Sequence, residues 1–167
     1  MAPNFSGTPH WAAVIRELTR ELATVRPGFE FGVTFFASDL RSFPSTEGPG
    51  IATAETVAEA IAFVNSMRGG SGTCPHVGLL AALSFARRSS ARPRAIIFVS
   101  DGGGTCSATA MPEWDYLPWV LDLIDAENTT RIPIHAIGIR VLPNGTREEF
   151  LRELARRNRA SYTRVSL

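Results

Sequence analysis

Lysine is absent from this 167-residue sequence, and all 17 basic side chains are arginine. That removes Schiff-base and phosphate-loop lysine chemistry from the possible activities. Cysteine is scarce: Cys74 and Cys106 are too few for a disulfide scaffold and are not spaced as a C-x-x-C zinc or redox motif. Long apolar runs are missing as well. The longest, around residues 95–100 and 132–139, fall far short of the roughly 20 residues that a membrane-spanning helix needs. With 16 acidic side chains against the arginines, the formal charge is only +1, so neither nucleic acid nor an anionic membrane is expected as partner. Residues 1–10 have no basic stretch followed by an apolar one, so the chain as given carries no secretory signal and reads as cytoplasmic.

What is present is the composition of one globular domain spanning 1–167, with 44% hydrophobic and 20% charged residues. Trp11, Val14, Ile15, Leu18, Leu22 and Val25 recur at helical spacing behind Thr8-Pro9, an N-cap followed by a first-turn proline. Residues 29–37 predict a strand buried on both faces, and 40–43 a short edge strand. Residues 44–50 form a loop. Val57, Ala60, Ile61 and Val64 mark a second helix ended by Gly69-Gly70, and Pro75 opens a third with Val77, Leu80 and Leu83 inward. Residues 95–100 predict a central strand, and Leu117, Val120, Leu121 and Ile124 a fourth helix. Another strand follows at 132–139, then a helix behind a Thr146/Glu149 capping box, and a last strand at 161–165. Strands alternating with helices imply a doubly wound, mostly parallel α/β sheet, whose ligands sit beyond the carboxyl ends of the strands.

Two glycine-rich loops are placed accordingly, one at residues 69–74 and one at 100–106. Asp101 stands where a buried strand emerges, and Thr73 could add a hydroxyl, so that a hard cation such as Mg²⁺ is a natural guest. The plainer reading is that Asp101 caps a turn and Thr73 caps the helix at Pro75.

At these residues the sequence resembles the von Willebrand factor A-type domains, in their bacterial branch, over nearly the whole chain. Phe31-Gly32-Val33-Thr34-Phe35-Phe36-Ala37-Ser38 is similar to the family's second strand. Gly72-Thr73, followed by Gly78-Leu79 and Ala82-Leu83, is similar to its threonine loop and helix, and Ile96-Ile97-Phe98-Val99-Ser100-Asp101-Gly102 to its Ser-Asp-Gly strand end. Ile134-His135-Ala136-Ile137-Gly138-Ile139 is similar to the strand after that. The resemblance implies a Rossmann-like module that binds another protein through an acidic side chain, with Thr73 and Asp101 as metal ligands for Mg²⁺ or Mn²⁺. The family's first strand, which ends in Asp-x-Ser-x-Ser and lies mid-sheet, has no counterpart. Either Asn4, Ser6 and Thr8 stand in for its motif, or the motif lies upstream of Met1. The metal site is therefore expected to be incomplete, with weak or no Mg²⁺ binding, and the missing central strand leaves its two neighbours exposed or forces them together.

The same fold would bring Cys74 and Cys106 to one rim, as a disulfide or as two reduced thiols. His76 reads as a solvated helix-start residue, His135 as a packed core residue and His10 as surface, while Trp114, Tyr116 and Trp119 form an aromatic cluster near the rim. A second reading, from a different class, is an α/β enzyme whose Asp101-Gly102-Gly103-Gly104 loop cradles a phosphate or nucleotide. Against it stand the absence of G-x-G-x-x-G, Walker and G-x-S-x-G spacings and of a nucleophile beside a base, so no catalysis is expected.

Overall fold

A computed structural model describes residues 9–37, 39–45, 48–68, 72–92, 94–106 and 108–165, which form five helices and seven short strands. The caps expected at Thr8 and at Gly69-Gly70, the side chain of His10, and Asn4 and Ser6 lie outside the described residues. Helix α1 (Pro9–Leu22) buries Leu22 and turns Ile15 and Leu18 toward α2 (Ala54–Ser66), whose Ala60 and Val64 are fully buried. A capping box of Thr53 and Thr56 starts α2.

The strand expected at 29–37 is divided into β1 (Glu30–Phe31) and β2 (Val33–Phe36). Gly32 separates them where the chain runs close to its neighbours: a Cβ there would stand 3.2 Å from the Phe85 ring and 3.3 Å from the Phe43 carbonyl. β2 pairs antiparallel with β3 (Leu40–Phe43), and β1 with β4 (Gly50–Ile51), a strand that the proline and glycine content of 44–50 concealed. All four β2 side chains are half-buried, not enclosed on both faces as expected.

Helix α3 (Pro75–Arg88), β5 (Ile96–Ser100), α4 (Glu113–Glu127), β6 (Ile134–Ile139), α5 (Thr146–Arg157) and β7 (Tyr162–Val165) complete the chain. β5, β6 and β7 form a parallel sheet in that order, as alternating strands and helices require. One face of it is covered by α3, α4 and α5 around Leu79, Leu83, Val120, Ile124, Ile134 and Leu151. The buried centre of α3 is thus Leu79 with Leu83, while Val77 and Leu80 lie at its margin. On the other face Ile97 is 67% exposed and Val99 38%.

Among the described residues, β2 pairs only with β3 and β5 only with β6. The Ala37 N–H donates to Asp39, so by alternation the backbone groups of Thr34 and Phe36 point away from β3. The Ile96 N–H donates to Pro133, which turns Ile97 and Val99 away from β6. Among the described residues no strand stands between β2 and β5. Helix α3 packs on both, and the rings of Phe36 and Phe98 stack with centroids 5.3 Å apart, so the two edges are joined by side chains and not by a ladder.

The Thr146/Glu149 capping box is not formed. Gly145 is the N-cap of α5 and makes no side-chain cap. Instead the buried Glu148 carboxylate accepts from the Asn144 N–H at 2.7 Å and from the Tyr162 hydroxyl at 3.1 Å, which fastens the helix start to β7.

Candidate functional site

Asp101 follows β5 directly, at the carboxyl end of the parallel sheet. Its Oδ1 accepts from the Gly103 N–H at 3.0 Å, and Ser100 Oγ accepts from the Gly102 N–H at 3.1 Å, so both side chains fold back on the turn. Gly102 has φ +75°, and a Cβ there would come within 2.5 Å of the Arg147 carbonyl. Residues 102–104 are buried between the start of α5 and α4: a Cβ on Gly104 would meet the Tyr116 ring at 2.7 Å. On the side their Cβ atoms would occupy, these glycines pack against Arg147, Tyr116 and Leu117.

Thr73 is joined to the same rim by its backbone. The Thr73 N–H donates to the Thr105 carbonyl at 3.3 Å and the Thr105 N–H returns to Thr73 at 3.1 Å, an isolated antiparallel bridge. Beside it Cys74 and Cys106 form a buried disulfide with Cα atoms 4.7 Å apart. The two glycine-rich loops therefore meet at one edge of the sheet, as the sequence implied. Thr73 does not cap α3, however, because Cys74 occupies the N-cap position and makes no side-chain cap.

Arg147 was not singled out by sequence, yet it governs the charge at this edge. Its Nη1 lies 3.6 Å from Asp101 Oδ2, and its Nε and Nη2 donate to the two Glu113 oxygens at 2.8 and 3.2 Å. Glu113, and more weakly Asp101, hold the guanidinium protonated beyond its ordinary range. One sequence signal existed: an arginine in the first turn of a helix opposes the helix dipole and so calls for an anionic partner.

The histidines and aromatics are redistributed. His76 is half-buried, with Nδ1 2.5 Å from the Tyr116 hydroxyl and its ring edge-on to Trp119 at 5.2 Å. Burial pushes its pKa below the ordinary imidazole value and pushes Tyr116 up to about 12. Tyr116 and Trp119 stack, whereas Trp114 stands apart and is 71% exposed. An open groove is lined by Thr105, Ala110, Met111, Pro112 and Glu113. His135 is not a core residue, because it lies on the sheet face away from α3, α4 and α5 and bonds Ser161 Oγ at 2.8 Å.

A divalent cation needs about six oxygen ligands, more than one of them usually anionic or waters held by carboxylates. Among the described residues no group of three His, Cys, Asp or Glu side chains converges. Asp101 already faces the Gly103 N–H on one oxygen and a guanidinium on the other. The residues present do not fit Mg²⁺ as they stand.

No family model matches the sequence, and no curated protein matches it. Solved structures do. A von Willebrand factor type A protein from Catenulispora acidiphila superposes with a TM-score of 0.76 at 16% identity, over 93% of this chain and 34% of that one. An aerotolerance-related membrane protein from Bacteroides fragilis gives 0.66 at 15% identity, over 97% of this chain and 84% of that one. The pilus adhesin SpaC from Lactobacillus rhamnosus GG gives 0.74 at 14% identity, over 95% of this chain and 26% of that one. The fold is that of the von Willebrand factor A-type domains, as the motif resemblance implied, and the chain spans about a third of the first of these proteins.

Proposed function

We propose that this chain is a protein-binding module whose contact surface is the rim bearing Thr73, Asp101 and Thr105. The observation that carries this reading is the doubly closed junction of the two loops, by backbone bridge and disulfide, at the carboxyl end of β5. Two distant segments held together at a sheet edge make a rigid platform, which lowers the ordering cost of binding. The exposed Trp114 and the groove that includes Met111 and Pro112 supply apolar area of the kind that anchors protein contacts. The adhesin among the structural neighbours agrees with this class of activity. The partner we infer offers an acidic side chain. A Mg²⁺ or Mn²⁺ ion would enter through Asp101 and Thr73 only with further ligands from another segment, so this chain binds such ions weakly or not at all.

That no strand stands between β2 and β5 among the described residues supports the reading that the sheet lacks a central strand. The enzyme alternative at residues 101–104 is less well supported, since the glycine loop is packed against α4 and α5. The buried disulfide supports residence in an oxidising compartment, against the cytoplasmic expectation, and a thiol count with and without reductant tests it.

The test is titration of short peptides containing Asp or Glu, against their Asn or Gln counterparts, followed by amide chemical shifts. Acidic peptides should move the resonances of Thr73, Thr105 and Trp114. Shifts confined to another face, or none across the set, would refute the reading.

A further inference from the structure

Arg147 occupies an unfavourable place for a cation, the first turn of α5, where backbone N–H groups lack helical acceptors. Two carboxylates from separate elements hold it there: Glu113, at the start of α4, by a two-pronged contact, and Asp101, after β5, by an ion pair. The loop is shaped to the side chain. A Cβ at Gly103 would stand 3.1 Å from Arg147 Nη1, and one at Gly102 2.9 Å from Arg147 Cβ. The guanidinium thus faces both carboxylates, and a cation drawn to either of them meets its positive charge.

We propose that Arg147 is the specificity-determining residue of this rim, a tethered cation that pairs with Asp101 and Glu113, offsets one of their two negative charges where a divalent ion would offset both, and lets the rim meet its partner without metal. This rests on the rim being the contact surface. Two positive charges do not share one carboxylate pair at close range, so an incoming ion has to displace the guanidinium and break the paired bonds to Glu113. Replacing Arg147 by a neutral side chain removes the positive charge that Asp101 and Glu113 both face, and carboxylates left without it draw a cation.

The experiment titrates Mn²⁺ into the wild-type chain, Arg147→Gln and the double variant Arg147→Gln/Asp101→Asn, read by electron paramagnetic resonance and calorimetry, with circular dichroism to verify folding. Arg147→Met serves if the glutamine variant does not fold. The expected result is Mn²⁺ binding about tenfold or more tighter in Arg147→Gln than in wild type, lost again in the double variant. A folded single variant that binds no better than wild type overturns the proposal. Acidic-peptide binding by the wild type, measured with and without a chelator, separates the two readings. Chelator-insensitive binding supports the role of Arg147, and chelator-sensitive binding overturns it. A Mn²⁺ gain without any peptide binding refutes the rim as contact surface, whereas peptide binding without a Mn²⁺ gain refutes only the role of Arg147.

Discussion

Single atoms set the geometry of the Asp101 turn. Gly102 combines a left-handed φ with contact to the Arg147 backbone, so a methyl group is opposed twice, by conformation and by space. Gly102→Ala should destabilise the chain by about 1–3 kcal/mol in urea denaturation. Acid should act through other residues. The Asn144 N–H, and then the Tyr162 hydroxyl and Arg152, hold Glu148 below its usual carboxylate value of 4.5, while Arg156 and Arg157 hold Glu153 at about 2. Burial likewise lowers His76 from 6.5. In all three cases the unfolded chain binds protons more readily than the folded one, so stability is full above the ordinary pKa and is lost as pH falls toward the folded value. Thermal melts should therefore decline in two stages, the first as pH drops below 6.5 and the second between 4.5 and about 2. Glu148→Gln should flatten the second stage.

At the scale of elements, the bond between Cys74 and Cys106 joins the entrance of α3 to the loop after β5. It restrains the unfolded chain across 32 residues, so a Cys74→Ser/Cys106→Ser variant should lose about 2–4 kcal/mol, measured in denaturant melts with the native chain as reference. How much of this arrangement was legible varies with the range of the interaction. Helices announced themselves through local period, which is why α1, α4 and α5 fall where Leu22, Val120 and Leu154 indicate. The meeting of the loops that carry Thr73 and Asp101 was legible because each loop has a motif of its own. Arg147 was not, because its partners Asp101 and Glu113 lie 46 and 34 residues away and only packing brings them together. The division of β1 from β2 depends on Phe85 and Phe43 pressing on Gly32, which local composition does not encode. His76 was misjudged for the same reason: a helix start is usually wet, but here Tyr116 and Trp119 arrive from α4 to enclose it.

Across the whole molecule the core is unequally shared. The cluster under α3, α4 and α5 holds most of the fully buried side chains, whereas Leu22, Ala60 and Val64 are the buried centre of the one between α1 and α2. Local opening follows buried apolar contact, so amide hydrogen exchange should be slowest in β5, β6 and α4 and markedly faster in α1 and α2. The backbone N–H groups of Thr34 and Phe36, turned away from β3, and of Ile97 and Val99, turned away from β6, should exchange ahead of their neighbours within β2 and β5. The sulfur link has a further effect, on how the molecule comes apart. It encloses α3 and β5 in one covalent ring, so a single protease nick anywhere between positions 74 and 106 releases nothing. The cut chain keeps its full mass on a non-reducing gel and separates into two fragments only when a thiol is added.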